Sequence, residues 1–150
     1  VFNIKRLSLA DAQKLIKGAK RKAKRIDVPM CIAVADESGN LIAFERMDGA
    51  KILSVGLSAD KAFTAAISKR PTHEYNEICQ PGNLAYGIHT SSGGRFSIVG
   101  GGFPVVIRNT VVGAIGLSGG AVEQDMECAE AAVRGFLGAK AFDKRYCRTT

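Results

Sequence analysis

Three groups of residues have the types and spacing to hold an anionic oxygen. Lys61, Thr64 and Ser68 follow one another at helical intervals, so one stripe carries a cation and two hydroxyls with Leu57 at its head. Gly100-Gly101-Gly102-Phe103-Pro104 opens a strand, where glycines let a ligand approach the main chain closely. Ser118-Gly119-Gly120 stands just before a helix, whose first N–H groups and positive dipole end suit a carboxylate or phosphate. Asp125, at the edge of that helix's apolar face, can pair with a cation or favour the helix dipole. Arg46 and Asp48, at the end of an earlier strand, add a guanidinium able to grip a carboxylate with two hydrogen bonds. Glycine corners and an ordinary solvated helix face explain each group equally well when taken singly.

Several chemistries are missing from the pattern. There is no G-x-S-x-G, no H-E-x-x-H, no P-loop and no acidic cluster spaced for a metal. Cys31, Cys79, Cys128 and Cys147 are scattered, without the close pairs that zinc sites or covalent haem attachment need, and read as reduced structural thiols. His73 and His89 lie with Tyr75 and Tyr86 in a poorly periodic stretch from Pro71 to Gly94, the kind of long connection that often carries function. A cysteine nucleophile paired with either histidine stays open, with nothing to single one out.

Those residues need a scaffold, and periodicity supplies one. Ser8 and Asp11 form a capping arrangement ahead of a helix from Leu9 to Ile26, with Ala12, Leu15, Ile16, Ala19 and Ala23 on one arc. Met30–Asp36 and Leu41–Met47 flank the turn Glu37-Ser38-Gly39-Asn40 and read as a hairpin. A second helix, Leu53–Ser68, presents Val55, Ala59, Ala62, Phe63 and Ala66 as its apolar face. Phe96–Val99, Phe103–Arg108 and Val111–Leu117 read as strands, and a last helix runs from Val122 towards Gly138. The order α-β-β-α-β-β-β-α predicts one α/β (α+β) domain over residues 1–150. Its architecture is a profilin-like three-layer sandwich, with about five mainly antiparallel strands flanked by helices.

The net charge of +7 is local. Residues 1–25 hold nine Lys or Arg and one acid, while the rest of the chain is nearly balanced. The basic face of the first helix (Lys14, Lys17, Lys20, Arg21, Lys24, Arg25) is solvated or meets nucleic acid or an acidic partner. No aromatic residue lies between Lys14 and Arg25 to stack bases, which disfavours nucleic acid. No apolar run approaches the roughly 20 residues of a membrane span, and the first residues lack the apolar stretch of a signal peptide, so a cytoplasmic address is expected.

Val34-Ala35-Asp36-Glu37-Ser38-Gly39-Asn40-Leu41 running into Arg46-Met47-Asp48-Gly49-Ala50 resembles the first signature of the GlcG/HbpS/PduO-C-terminal family. Ala59-Asp60-Lys61-Ala62-Phe63-Thr64-Ala65 resembles its second. The glycine loop at 100–104, then Gly113-Ala114-Ile115-Gly116-Leu117-Ser118-Gly119-Gly120 with Asp125, resembles its third. The resemblance covers most of the chain. It implies a profilin-like domain that self-associates and a family linked to haem binding, proposed haem degradation or redox sensing, with other members beside glycolate or diol utilisation. Relatives that hold haem iron through a histidine tend to use the first helix, which has none here, leaving His73 and His89 as axial candidates.

Three functions follow as expectations. The first is a small-ligand or haem-binding accessory protein of cytosolic metabolism. The second is an enzyme acting on a small oxygenated metabolite, with Lys61, Thr64 and Asp125 in a polar pocket. The third is a basic-helix module for nucleic acid or an acidic partner. Under the first two, a homo-oligomer holds an anionic ligand or haem among Arg46, Asp48, Lys61, Thr64, Gly101, Gly102, Pro104, Ser118, Gly119, Gly120 and Asp125. Lys61 is expected to lie off the apolar face of its helix, reachable by ligand.

Overall fold

The computed structural model describes residues 1–138; Cys147 lies outside the described residues. In chain order the main elements are α1 (Leu9–Arg25), β1 (Cys31–Asp36), β2 (Leu41–Arg46), α2 (Leu53–Ser68), α3 (Glu74–Ile78), β3 (Gly102–Ile107), β4 (Thr110–Ser118) and α4 (Val122–Leu137). The strands form one antiparallel sheet in the order β2-β1-β4-β3. Helices α1 and α4 pack on each other and on one face of the sheet, and α2 covers the other face. This is the expected three-layer α/β sandwich with one strand fewer.

The local signals act as their chemistry dictates. Ser8 Oγ accepts from Asp11 N at 3.1 Å while Ser8 N donates to Asp11 Oδ2 at 3.1 Å, which satisfies two donors at the start of α1. In the β1–β2 turn, Asp36 Oδ1 accepts from Ser38 N at 2.9 Å and Asn40 N at 2.8 Å, and Gly39 takes φ +85°. Pro104 costs the sheet no ladder bond, because β3 is an edge strand.

Phe96–Val99 is not a strand. Its backbone is held by threonine hydroxyls instead of a ladder. Thr64 Oγ1 accepts from Ser97 N at 2.8 Å and donates to Arg95 O at 3.2 Å; Thr72 Oγ1 donates to Val99 O at 2.6 Å and accepts from Gly102 N at 3.0 Å. An apolar run bounded by glycines looks like a buried strand, yet Ser97 N and Val99 O find their partners without one.

The two faces of the sheet are built differently. Towards α1 and α4 point Ile32, Val34, Phe103, Val105, Ile115 and Leu117, meeting Leu15, Ile16, Met126 and Val133 in the main core. Towards α2 point small residues: Ala33, Gly116 and Gly102 pair directly across three strands. A Cβ on Gly116 would collide with Ser58 O and Ala62 N, and one on Gly102 with Lys61 O. Helix α2 therefore lies with its own backbone against the sheet.

That closeness turns the expected face of α2, keeping Ala62 and Ala66 buried but not Val55, Ala59 or Phe63. Its buried residues are Ser54, Ser58, Lys61, Ala62, Thr64, Ala65 and Ala66. Val55 and Ile67 are exposed, and Ala59 and Phe63 only half-buried. Hydrophobic periodicity finds the bulky side, but here the sheet accepts only the small one.

Gly116→Ala should lower stability by about 1–3 kcal/mol through overpacking against α2 backbone. Gly135→Ala is the control, since a Cβ there meets nothing within 4 Å; removing a helical glycine should raise stability by about 0.5–1 kcal/mol. Urea midpoints measure both, and equal midpoints for parent and Gly116→Ala would contradict the packing.

Candidate functional site

The polar residues of α2, the glycine loop and the start of α4 meet in one buried knot. Lys61 has no exposed surface (0 %) and Asp125 is 3 % exposed. Lys61 Nζ donates to Asp125 Oδ2 at 2.8 Å and to Leu117 O at 2.9 Å, and Gly120 N donates to Asp125 Oδ1 at 3.0 Å. Gly101 lies over the pair with φ +120°, and a Cβ there would come within 3.0 Å of both Lys61 Nζ and Asp125 Cβ. Ser118 Oγ donates to Ser54 Oγ at 3.0 Å, and Gly119 is pressed against Pro29 O and Met30.

Electrostatics follow from burial. Removal from water pushes the Asp125 carboxyl above the ordinary carboxylate range, opposed by Lys61 and by the N–H groups of Gly120 and Gly119. Burial likewise lowers Lys61, opposed by Asp125. The glycine turn before α4 does receive an anion, as its chemistry suggested. The anion is the chain's own Asp125.

The remaining sequence-derived candidates separate. Thr64 is buried and engaged with the 95–97 backbone. Gly102 and Pro104 face α2 from the edge strand. Arg46 shares a cross-strand row with Cys31 and Ser118, but it and Asp48 are exposed beyond the knot. His89 is exposed in a short 3-10 turn, its ring 6.3 Å from that of Tyr86. Cys31, Cys79 and Cys128 are free and buried, and burial lifts the Cys128 thiol to about 12, which keeps it protonated.

His73 is different. It stands at the start of α3, half-buried, with its ring 5.7 Å from that of Phe103. It borders a cleft of about 450 Å³ walled by Val99, Gly100, Val122 and Met126, with Glu77 and Glu123 at the rim. A Cβ on Gly100 would sit 2.5 Å from Met126 Sδ and 2.9 Å from Val122 Cγ1, so the wall is flat only because this position is glycine. Thr72, next to His73, pins Val99 and Gly102, while Asp125, next to Met126, is anchored by Lys61. The buried knot thus fixes two walls of the cleft. Sequence reasoning named His73 and the glycine loop that begins at Gly100 but missed Thr72, Val122, Glu123 and Met126. The one available signal was the Thr-His pair after Pro71.

The class is a three-layer α/β sandwich in which a cationic helix side chain is neutralised from across the sheet. Residues 7–134 match the family described as haem degrading protein HbpS-like. The chain belongs to that family. It is 41% identical over 127 residues to an uncharacterized 15.0 kDa protein in the dhaT-dhaS intergenic region of Citrobacter freundii, covering 85% of this chain and 89% of that protein. The crystal structure of Klebsiella pneumoniae protein ORFY superposes with TM-score 0.89 at 36% identity, covering 95% of this chain and 97% of that one. The crystal structure of a PduOC:heme complex superposes with TM-score 0.82 at 34% identity, covering 85% and 93%. The chain spans only 38% of the corrinoid adenosyltransferase PduO of Salmonella typhimurium, to which it is 35% identical over 127 residues.

Lys61→Met should cost about 3–5 kcal/mol, because it leaves a buried carboxylate without its cation. The loss should depend on pH with a definite sign. A carboxyl raised in the folded state favours the protonated form, so its contribution is intact below the ordinary carboxylate value and is lost as pH rises. Lys61 is one of the groups that oppose this rise, so the deficit of Lys61→Met against the parent should widen as pH rises from the ordinary carboxylate value of about 4 towards neutrality. Urea unfolding across that range tests it, and a deficit that narrows with rising pH would contradict the pairing.

Proposed function

We propose that this chain is a haem-binding domain and that the His73 cleft is where it binds. The observation that carries the reading is a histidine beside a cleft with walls of valine, methionine and glycine. Kinship with a relative solved as a heme complex supports it. The cleft falls within the usual size of small-molecule sites. Its residues fit the group: His73 offers an imidazole for iron, Val99, Val122 and Met126 offer apolar contact, and Gly100 leaves room for a flat face. Bound there, haem would supply an iron centre open to redox or ligand chemistry. His73 would hold the iron, the apolar walls would exclude water, and Thr72 and the Lys61–Asp125 pair would fix those walls. Glu77 and Glu123 give the rim negative charge, which works against carboxylates of the bound group. Among the described residues no group of three or more metal-binding side chains converges, so the metal chemistry of this reading rests on a single histidine.

The wider role we infer is that of an accessory protein in cytosolic small-molecule metabolism of the glycolate or diol type. The dhaT-dhaS position in the name of one relative supports this. No described helix is long and apolar enough to cross a membrane. Self-association belongs to the same reading: Ile52 and Leu53, at the start of α2, are 80 % and 76 % exposed, and Val55 and Ile67 face outward from the same helix.

Titration with haemin, read at the Soret band, should saturate at one haem per chain. His73→Ala should weaken binding about tenfold or more and alter the spectrum, His89→Ala should do neither, and Glu123→Gln should tighten binding. A parent spectrum identical to free haemin would end the haem reading, and an unchanged His73→Ala titration would move the iron elsewhere. Light scattering should give a mass above the 15.9 kDa of one chain. Ile52→Glu with Leu53→Glu should bring it down to the monomer.

A further inference from the structure

Helix α1 carries more positive charge than the described residues neutralise by ion pairs. Lys14, Lys20 and Lys22 pair with Asp11, Glu45 and Glu127. Lys17, Arg21, Lys24 and Arg25 have no ion pair with any described residue, and all four are exposed. From residue 17 to 25 they span about 12 Å along the helix axis. A set of unpaired like charges raises the energy of the isolated domain and is relieved by an anionic partner.

The surface beside these cations selects among anions. Helices α1 and α4 run antiparallel, with Lys22 beside Glu127 and Gly18 beside Ala132, where a Cβ on Gly18 would lie 3.4 Å from Ala132 Cα. Past that crossing the helices frame a hollow of about 410 Å³. Its floor is Gly18, Ala131, Gly135 and Phe136, and Lys17, Arg21 and Arg25 stand at its rim. Among the described residues nothing lies within 4 Å of a Cβ placed on Gly135. A phosphodiester backbone gains nothing from an apolar floor. An amphipathic helix with acidic flanks gains from both the floor and the rim, as a third helix laid into the groove of two.

We propose that the α1–α4 groove docks an acidic amphipathic helix of another protein, its carboxylates on Lys17, Arg21 and Arg25 and its apolar side over Gly135 and Phe136. This inference is independent of the haem reading, since the groove and the His73 cleft share no residue.

The test is fluorescence anisotropy on the full chain with a labelled synthetic peptide of about 18 residues, leucines on one helical face and glutamates beside them. The comparisons are a peptide of the same composition in scrambled order, a duplex DNA, and phosphatidylcholine vesicles with about 30% phosphatidylserine. The amphipathic peptide should bind about tenfold or more tightly than its scramble. Lys17→Gln with Arg21→Gln and Arg25→Gln should lower affinity for both peptides. Gly135→Leu, which fills the hollow, should abolish only the preference for the amphipathic one. Circular dichroism checks that each variant is folded. Equal binding of the two peptides, tighter binding of DNA or vesicles, or a preference that survives Gly135→Leu would overturn the proposal.

Discussion

Helix α2 rests on a strip of sheet made of glycine and alanine, whose side chains are too small to hold it off. Because Gly102 and Gly116 are directly paired and each faces α2 backbone, the helix axis is lowered until Ser58 and Lys61 carbonyls meet the strands. Much else follows from that constraint. A helix so close to the sheet can bury only small or polar side chains beneath it, which explains Ser54, Ser58 and Ala62. It also brings Lys61 near enough to the end of β4 for its ammonium to reach Leu117 O and the first turn of α4. One layer of the sandwich is thus tied to another around the sheet, by an ion pair rather than by hydrophobic contact.

The ion pair adds rigidity where the fold has few regular hydrogen bonds. The 95–101 segment carries neither helix nor ladder between its short turn and β3, yet it forms one side of the His73 cleft. Thr64 and Thr72 hold its backbone from α2 and from the loop before α3, and Gly101 closes over Lys61 and Asp125. Each attachment uses a polar group that is fully buried and fully engaged, the condition under which buried polar networks specify a conformation. Lys61, Thr64 and Asp125, singled out in the sequence as ligand contacts, are bonded in the structure to other groups of the chain itself.

How much of this was legible depended on whether the signal was local. The capped first helix, the Asp36–Asn40 turn, the β3–β4 hairpin and the last helix were readable, because capping, turn chemistry and alternation operate within a few residues. The buried face of α2 was not, since its cause lies in glycines forty to sixty positions away. For Phe96–Val99, composition mimicked a strand, and the deciding hydroxyls of Thr64 and Thr72 come from elsewhere in the chain. Lys61 and Asp125 were each picked out as unusual. They were expected together in one polar pocket, and across sixty-four positions they do meet, as an ion pair. The His73 cleft is assembled from three separated segments, of which only the histidine and the glycine loop at Gly100 announced themselves.

The burial of Lys61 makes it a silent amine. An acylating reagent must first find the nitrogen in water and unprotonated, and this nitrogen is sealed beneath Gly101 with both neighbours drawing on its hydrogens. Lys17 and Lys24 of α1 stand exposed to solvent and to reagent, whereas Lys61 waits for α2 to lift from the sheet. Its acquisition of label is therefore a clock for that opening. It runs in the undisturbed protein and reports on the layer that the rest of the fold leans upon.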